Sequence, residues 1–187
     1  MPSRVLGGID LMAYAKRLAD LLTASRVLIA LIFAWLSLVG ARDSLMLAGF
    51  LLLTSWTSDL FDGALARQSG AGPTWIGDHD LEVDVAVSLG VLMYLVGAGF
   101  LEPTYAAIYI LLWGLIFWRW GWQRGPAMLF QAPIYLWFIV VAMRYAPQVG
   151  WWLIGYVAVV VVITWPRFPR EVVPGFLSGM SKLIKGK

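Results

Sequence analysis

The chain has 187 residues, of which 60% are hydrophobic and only 13% charged, and its net charge is +3. This composition excludes an ordinary water-soluble domain and predicts an integral membrane protein with a single membrane domain. The chain has no cysteine, which excludes disulfides and thiolate metal sites. Its basic residues lie mainly at predicted helix ends and in the tail, which favours membrane lipids over nucleic acid as a partner.

The first 21 residues form a juxtamembrane segment that precedes any long apolar run. The residues on one helical face of this segment and its border are Leu11, Ala15, Leu18 and Leu22. An apolar face opposite charged residues is typical of an amphipathic helix that lies in the membrane interface. An N-terminal extension of the first spanning helix is the alternative interpretation.

Six segments are apolar enough, and near enough to the roughly 20 residues that a helix needs, to cross a bilayer. They are residues 22–41, 44–66, 79–99, 103–120, 126–145 and 149–166. The sequence therefore predicts an all-α, polytopic membrane protein with about six transmembrane helices in a catalytic domain at residues 22–166. A basic cytoplasmic tail is expected at residues 167–187.

The distribution of basic residues predicts the orientation in the membrane. Twelve of the fourteen Lys and Arg residues fall on the side that holds both termini and the predicted loops at 67–78 and 120–125. They are Arg4, Lys16, Arg17, Arg26, Arg67, Arg119, Arg124, Arg167, Arg170, Lys182, Lys185 and Lys187. Basic residues concentrate in cytoplasmic loops, so both termini are expected in the cytoplasm, with the protein in the cytoplasmic membrane.

An acidic cluster at residues 59–84 is the strongest functional signal, because it holds six of the eleven acidic residues. Asp59 and Asp62 are spaced i, i+3 on the second predicted helix, and Asp80 and Asp84 are spaced i, i+4 at the start of the third. Each pair shares one helical face. The short loop between the helices predicts that they are antiparallel neighbours, which brings both pairs to the cytoplasmic end of the bundle.

Four converging carboxylates predict a divalent-metal site. A charged residue inside a membrane costs about 2.5–3.5 kcal/mol, and only Arg26 and Arg67 are placed to pair with these acids. Oxygen ligands suit one or two Mg²⁺ or Mn²⁺ ions, and Mg²⁺ sites commonly include substrate phosphates. A diphosphate substrate is therefore expected.

The acidic segment resembles the signature of the CDP-alcohol phosphatidyltransferases, D-x2-D-G-x2-A-R followed by G-x3-D-x3-D. Residues 59–67 read DLFDGALAR and residues 80–84 read DLEVD. Residues 21–26, LLTASR, are similar to the L-T-x2-R entry of the first helix in that family. The chain departs from the pattern at Gly77, which lies three rather than four residues before Asp80. Asp78 or His79 therefore stays an alternative participant in this half of the motif.

The resemblance implies roles for the acids. Asp59, Asp62 and Asp80 correspond to the family's metal ligands, and Asp84 corresponds to its general base.

The resemblance also implies substrate contacts, in which Gly63 and Ala66 leave room for the cytidine nucleotide and Arg67 lies near its phosphates. Arg119 and Arg124 flank the cytosolic 120–125 turn and are candidates for binding a phosphate of the acceptor, although membrane anchoring explains them equally well.

The implied reaction moves a phosphatidyl group from a CDP-linked lipid to an alcohol or lipid acceptor and releases CMP, as a step of phospholipid biosynthesis. The acceptor is open among inositol phosphate, glycerol phosphate, serine and another phosphatidyl lipid, and the family suggests a homodimer. One alternative is an intramembrane prenyltransferase, which also holds a Mg-diphosphate with paired aspartates. A divalent-metal transporter is the alternative from a different class.

The charge asymmetry predicts opposite sides for two loops. In this cysteine-free chain, single cysteines at Gly70 and at Glu102 should react with an impermeant thiol reagent from opposite sides of the membrane, with only the second labelled in intact cells. Labelling of both positions from outside would refute the orientation.

Overall fold

The computed structural model describes the backbone of residues 3–69 and 79–165 and the side chains of residues 17–18, 20–62 and 79–165. Within them the chain is all helical, as predicted. The helices are α1 (Ser3–Leu38), α2 (Leu45–Ser69), α3 (Asp80–Gly97), α4 (Pro103–Trp120), α5 (Arg124–Tyr145) and α6 (Pro147–Ile163), with a 3₁₀ turn at Arg42–Ser44. The predicted basic tail and most of the predicted 67–78 loop lie outside the described residues.

Three segments are long and apolar enough to cross a membrane by length and composition. They are Asp20–Leu38, Arg42–Asp62 and Arg124–Tyr145. Of the six predicted spans, these three meet both conditions within the described residues. Large apolar side chains such as Leu31, Trp35 and Leu111 point outward along the bundle, which suits a protein surrounded by lipid rather than water.

Helix α1 runs without a break from Ser3 to Leu38. The segment at residues 9–22 is therefore helical and continuous with the first apolar span, as the alternative interpretation had it. A separate interfacial helix is not confirmed.

Helix α1 is the central packing partner at the N-terminal half of the bundle. It packs extensively against both α3 and α2, whereas α2 and α3 contact one another much less. Helix α5 packs against α6 and α3, and α4 is peripheral. The expectation that α2 and α3 are direct neighbours is thus wrong in detail, because α1 joins them.

Prolines and a glycine define the bounds of the later helices. Pro103 and Pro147 begin α4 and α6, where the missing N–H of proline costs nothing. Gly121 ends α4 with a φ of +73°, a left-handed conformation that favours glycine. The short turn after it places Arg119 and Arg124 at the same end of the bundle.

A ring cluster fills the middle of the bundle. The fully buried Tyr94 of α3 lies 6.1 Å from the Phe33 ring of α1 and 6.3 Å from the Phe138 ring of α5. At the end of the bundle opposite the acids, the Arg42 guanidinium lies 5.0 Å from the Phe100 ring and 5.3 Å from the Tyr145 ring. These contacts fasten the turn after α1 to α3 and α5 through packing and cation–π attraction.

Two glycines of α3 allow its close approach to α1. A Cβ at Gly90 would lie 3.0 Å from the carbonyl oxygen of Ala30, and a Cβ at Gly97 would overlap the backbone carbonyl of Ser37. The Ser37 hydroxyl donates a hydrogen bond of 2.7 Å to the carbonyl of Met93 across the same interface. Small residues at such positions let membrane helices pack tightly.

Gly97→Ala should separate the end of α3 from α1 and lower the free energy of unfolding by about 1–3 kcal/mol, because an added methyl has no space. The matched control is Gly114→Ala on α4, where an added Cβ meets nothing within 4 Å. Thermal unfolding of the detergent-purified variants measures the difference. Equal melting temperatures for the two variants would contradict the packing described.

Candidate active site

The acidic residues lie together at one end of the bundle. Asp59 and Asp62 lie one turn apart near the end of α2, and Asp80 and Asp84 lie one turn apart at the beginning of α3. The predicted convergence of the two pairs is therefore present in the structure. The helices bring the pairs together through α1, whose residues lie between them.

Arg26 of α1 occupies the centre of the cluster. Its guanidinium is fully buried and donates hydrogen bonds to all four carboxylates. Nη1 bonds Asp59 at 2.9 Å and also Asp84, and Nη2 bonds Asp62 at 2.7 Å and also Asp80. A single arginine therefore pairs with all four acids, whereas the sequence indicated only that Arg26 and Arg67 were available as partners. Negative charge still exceeds positive charge within these contacts.

Hydroxyl groups extend this network along the α1–α2 interface. The Thr23 hydroxyl donates to Asp62 at 3.1 Å, and the Ser58 hydroxyl donates to the carbonyl of Leu22 at 3.0 Å. Thr23 and Arg26 lie three residues apart, so they present one face of α1 to α2. The position of Asp62 is thus fixed by two side chains from another helix.

The carboxylates differ in exposure. The Asp59 side chain is 50% exposed and that of Asp62 only 7%, with Asp80 and Asp84 between them. Asp59 is therefore the most accessible of the four carboxylates and Asp62 the most enclosed.

Three of the acids are arranged as a candidate metal site. Asp59, Asp62 and Asp80 each offer a carboxylate oxygen, and these oxygens lie within 4.8 Å of one another. Asp84 is not part of this group. Carboxylate oxygens are the ligands that Mg²⁺ and Mn²⁺ prefer, so the donor set fits the predicted metal.

The structure places the other predicted residues as follows. Gly63, Ala66 and Arg67 belong to the last turns of α2, but their side chains lie outside the described part of the chain. Arg124 begins α5 and interacts electrostatically with Asp59. Arg119 is exposed in the last turn of α4, with its guanidinium 5.5 Å from the Trp120 ring.

The alternative participants are placed only in part. His79 is the exposed N-cap residue of α3, and its carbonyl accepts a hydrogen bond from the N–H of Val83. Asp78 lies outside the described residues.

Sequence reasoning missed an aromatic group next to the acids. Trp56, one turn before Asp59 on α2, lies 5.4 Å from the Tyr135 ring of α5 at an interplanar angle of 84°. Trp56 thus connects the acidic segment of α2 with α5. The one available signal was the i, i+3 spacing of Trp56 and Asp59, since nothing in the sequence connects α5 with this face.

A family model agrees with this geometry. The model described as CDP-alcohol phosphatidyltransferase matches residues 16–165, which include every described member of the cluster. The chain belongs to the CDP-alcohol phosphatidyltransferase family. No curated protein and no solved structure matches the chain significantly.

Membership of the CDP-alcohol phosphatidyltransferases has direct consequences. The protein is a transferase of phospholipid biosynthesis that moves a phosphatidyl group from a CDP-alcohol, and it is an integral membrane protein. The family generally uses divalent metal ions, in agreement with the three converging carboxylates. The match favours this activity over the prenyltransferase and transporter alternatives.

Proposed function

We propose that the protein transfers the phosphatidyl group of CDP-diacylglycerol to an alcohol acceptor and releases CMP, as an enzyme of the 2.7.8 class. The observation that carries this proposal is the convergence of four carboxylates at one end of an apolar bundle, in a chain of this family. Such a site can receive a soluble headgroup from the cytoplasm and a lipid from the membrane.

Asp59, Asp62 and Asp80 would hold one or two Mg²⁺ or Mn²⁺ ions. The support is the mutual proximity of their oxygens and the preference of these ions for carboxylates together with substrate phosphates. When bound, the metal neutralises charge on the diphosphate and makes CMP a better leaving group. The open position of Asp59 leaves the phosphates a route to the site.

Asp84 is the proposed general base. It stands apart from the three-carboxylate group, and it lies one helical turn, about 5–6 Å, deeper along α3 than Asp80. In the reaction, Asp84 takes the proton of the acceptor hydroxyl while that oxygen attacks the phosphatidyl phosphorus. The bond between phosphorus and the CMP oxygen breaks, and CMP leaves with the bonding electron pair.

The substrate contacts remain those implied by the motif. Gly63 and Ala66 would admit the cytidine nucleotide, and Arg67 would bind its phosphates. The support for Arg124 beside an anionic acceptor is its place at the beginning of α5, at the same end of the bundle as the acids. The support for Arg119 is its position at the same end of the bundle.

A groove beside the acids supports a lipid donor. It has a volume of about 320 Å³ and lies between α1 and α2, where it extends along α2 from Phe61 to Phe50, a rise of about 16 Å. It is lined by Leu22, Ser25, Phe50, Leu53, Thr54, Thr57, Ser58 and Phe61. None of the four acids lines the groove, but Ser58 and Phe61 belong to the same turns of α2 as Asp59 and Asp62, so an acyl chain lying in the groove would run along the segment that carries these carboxylates.

The proposed orientation puts the active site and both termini in the cytoplasm, on the strength of the basic-residue asymmetry. We also propose that residues 22–166 form the catalytic domain between a juxtamembrane segment (1–21) and a cytoplasmic tail (167–187). A homodimer remains a proposal by analogy with the family.

Purified protein with CDP-diacylglycerol, Mg²⁺ and a panel of alcohol acceptors should release CMP only with the correct acceptor. Excess EDTA should abolish release, and Mn²⁺ or Mg²⁺ should restore it, because the acids need a cation to bind the diphosphate. Undiminished CMP release in EDTA would refute the metal-dependent mechanism.

Asp84→Asn should lower turnover by about 10²–10⁴, the usual contribution of a general base, while metal and CDP binding stay near wild type. Asp62→Asn should weaken metal and CDP binding together. Glu82→Gln is the matched control, since Glu82 is an exposed acid on the same helix. If Asp84→Asn loses metal binding as severely as Asp62→Asn, Asp84 is a ligand and the base lies elsewhere.

A further inference from the structure

We propose that Arg26 is a resident counter-cation that the divalent metal must displace, so that metal and the diphosphate of the substrate bind together rather than separately. The inference rests on the proposed metal site. It assigns Arg26 a positioning role that changes between the metal-free and the substrate-bound protein.

The first argument is competition for the same three carboxylates. Each of the three candidate ligands, Asp59, Asp62 and Asp80, accepts a hydrogen bond from the Arg26 guanidinium. Nη2 alone bonds two of them. A metal ion coordinated by these carboxylates therefore competes with the guanidinium for the centre of the site, and the two cannot occupy it at once.

The second argument concerns the charge of the displaced group. Arg26 is fully buried, and a buried arginine without an anionic partner costs several kcal/mol. A metal ion that takes Asp59, Asp62 and Asp80 on its own would leave the guanidinium with Asp84 as its one remaining partner among the four carboxylates, and so impose part of that cost. A metal ion that arrives with a diphosphate brings new anionic oxygens for the guanidinium, so the cost disappears.

The third argument is an unused donor. The Nε–H of Arg26 is buried and has no hydrogen-bond partner, although the other two nitrogens of the guanidinium bond four carboxylates. Buried donors are normally paired, and arginine binds phosphate oxygens through its fork of N–H groups. An unpaired donor beside a candidate diphosphate site indicates that this side chain has a second anionic partner.

These contacts predict positive coupling between metal and nucleotide. Metal alone removes three of the four carboxylate partners of Arg26, whereas a diphosphate that binds with the metal supplies new anionic oxygens in their place. By linkage, each ligand then raises the affinity for the other by the same factor, typically 5–150-fold. Removing the guanidinium should raise the affinity for metal alone and weaken the coupling.

The experiment measures Mn²⁺ binding to purified protein from the electron paramagnetic resonance signal of the free ion, with and without CDP. Blanks that contain CDP but no protein give the Mn²⁺ held by the nucleotide, which is subtracted. Arg26→Gln should bind Mn²⁺ alone at least about 10-fold more tightly than wild type and show less tightening with CDP. Its melting temperature should be low without metal and rise more with Mn²⁺ than that of wild type. Arg42→Gln, at the far end of the bundle, should leave Mn²⁺ affinity unchanged.

Other outcomes separate this inference from the proposed function. Arg26→Gln that is folded by size exclusion but binds Mn²⁺ no more tightly than wild type overturns the displacement and leaves the metal site intact. Mn²⁺ binding that is equally absent in wild type, Arg26→Gln and Asp62→Asn overturns the metal site and the displacement together.

If Arg26→Gln does not fold, Arg26→Lys replaces it, because the single ammonium group of lysine cannot bridge four carboxylates. Arg26→Lys should then bind Mn²⁺ alone more tightly than wild type, and unchanged or weaker binding overturns the displacement.

Discussion

The contact between one buried arginine and four carboxylates is the constraint on which the rest of the structure depends. It joins α1, α2 and α3 at the acidic end of the bundle. Apolar packing alone could not hold charged side chains together there. Because an uncompensated charge in this environment is costly, the need to keep Arg26 paired constrains the relative position of these helices at the acidic end. The aspartates therefore converge for a structural reason as well as a chemical one.

Different kinds of contact hold the helices together at the two ends of the bundle. At the far end, the positive charge of Arg42 rests on aromatic rings of Phe100 and Tyr145, and α3 meets α1 through backbone contact at Gly97. Those contacts involve no carboxylate of the acidic cluster. At the acidic end, the described contacts include four ion pairs of Arg26, which can be exchanged for contacts with another ion. The bundle thus combines a fixed end with an end whose interactions can be replaced.

Much of the fold and the acidic site could be predicted from sequence, because both depend on local spacing. The lengths of the apolar segments predicted the six helices, and the i, i+3 and i, i+4 spacings predicted which helical faces carry the acids. The spacing of residues within a helix says nothing about which helices touch, so the placement of α1 between α2 and α3 was not predicted. For the same reason Arg26 was seen as one of two available cations rather than as the centre of the site, and Tyr135 of α5 was missed. The L-T-x2-R stretch was the signal that could have identified Arg26.

The hydroxyls that line the α1–α2 groove have a consequence for substrate choice. Thr54 and Thr57 donate to the carbonyls of Phe50 and Leu53 in their own helix, and Ser58 donates to Leu22 of α1. Because these hydroxyl hydrogens are already donated to backbone carbonyls, they are not available for hydrogen bonds to a molecule that lies in the groove. An acyl tail of the proposed lipid donor would be held in this groove by dispersion alone, so the groove would distinguish little between tails of different length or unsaturation. Selectivity for the proposed donor would then come from the headgroup, and the enzyme would accept whatever mixture of fatty acids the surrounding membrane supplies.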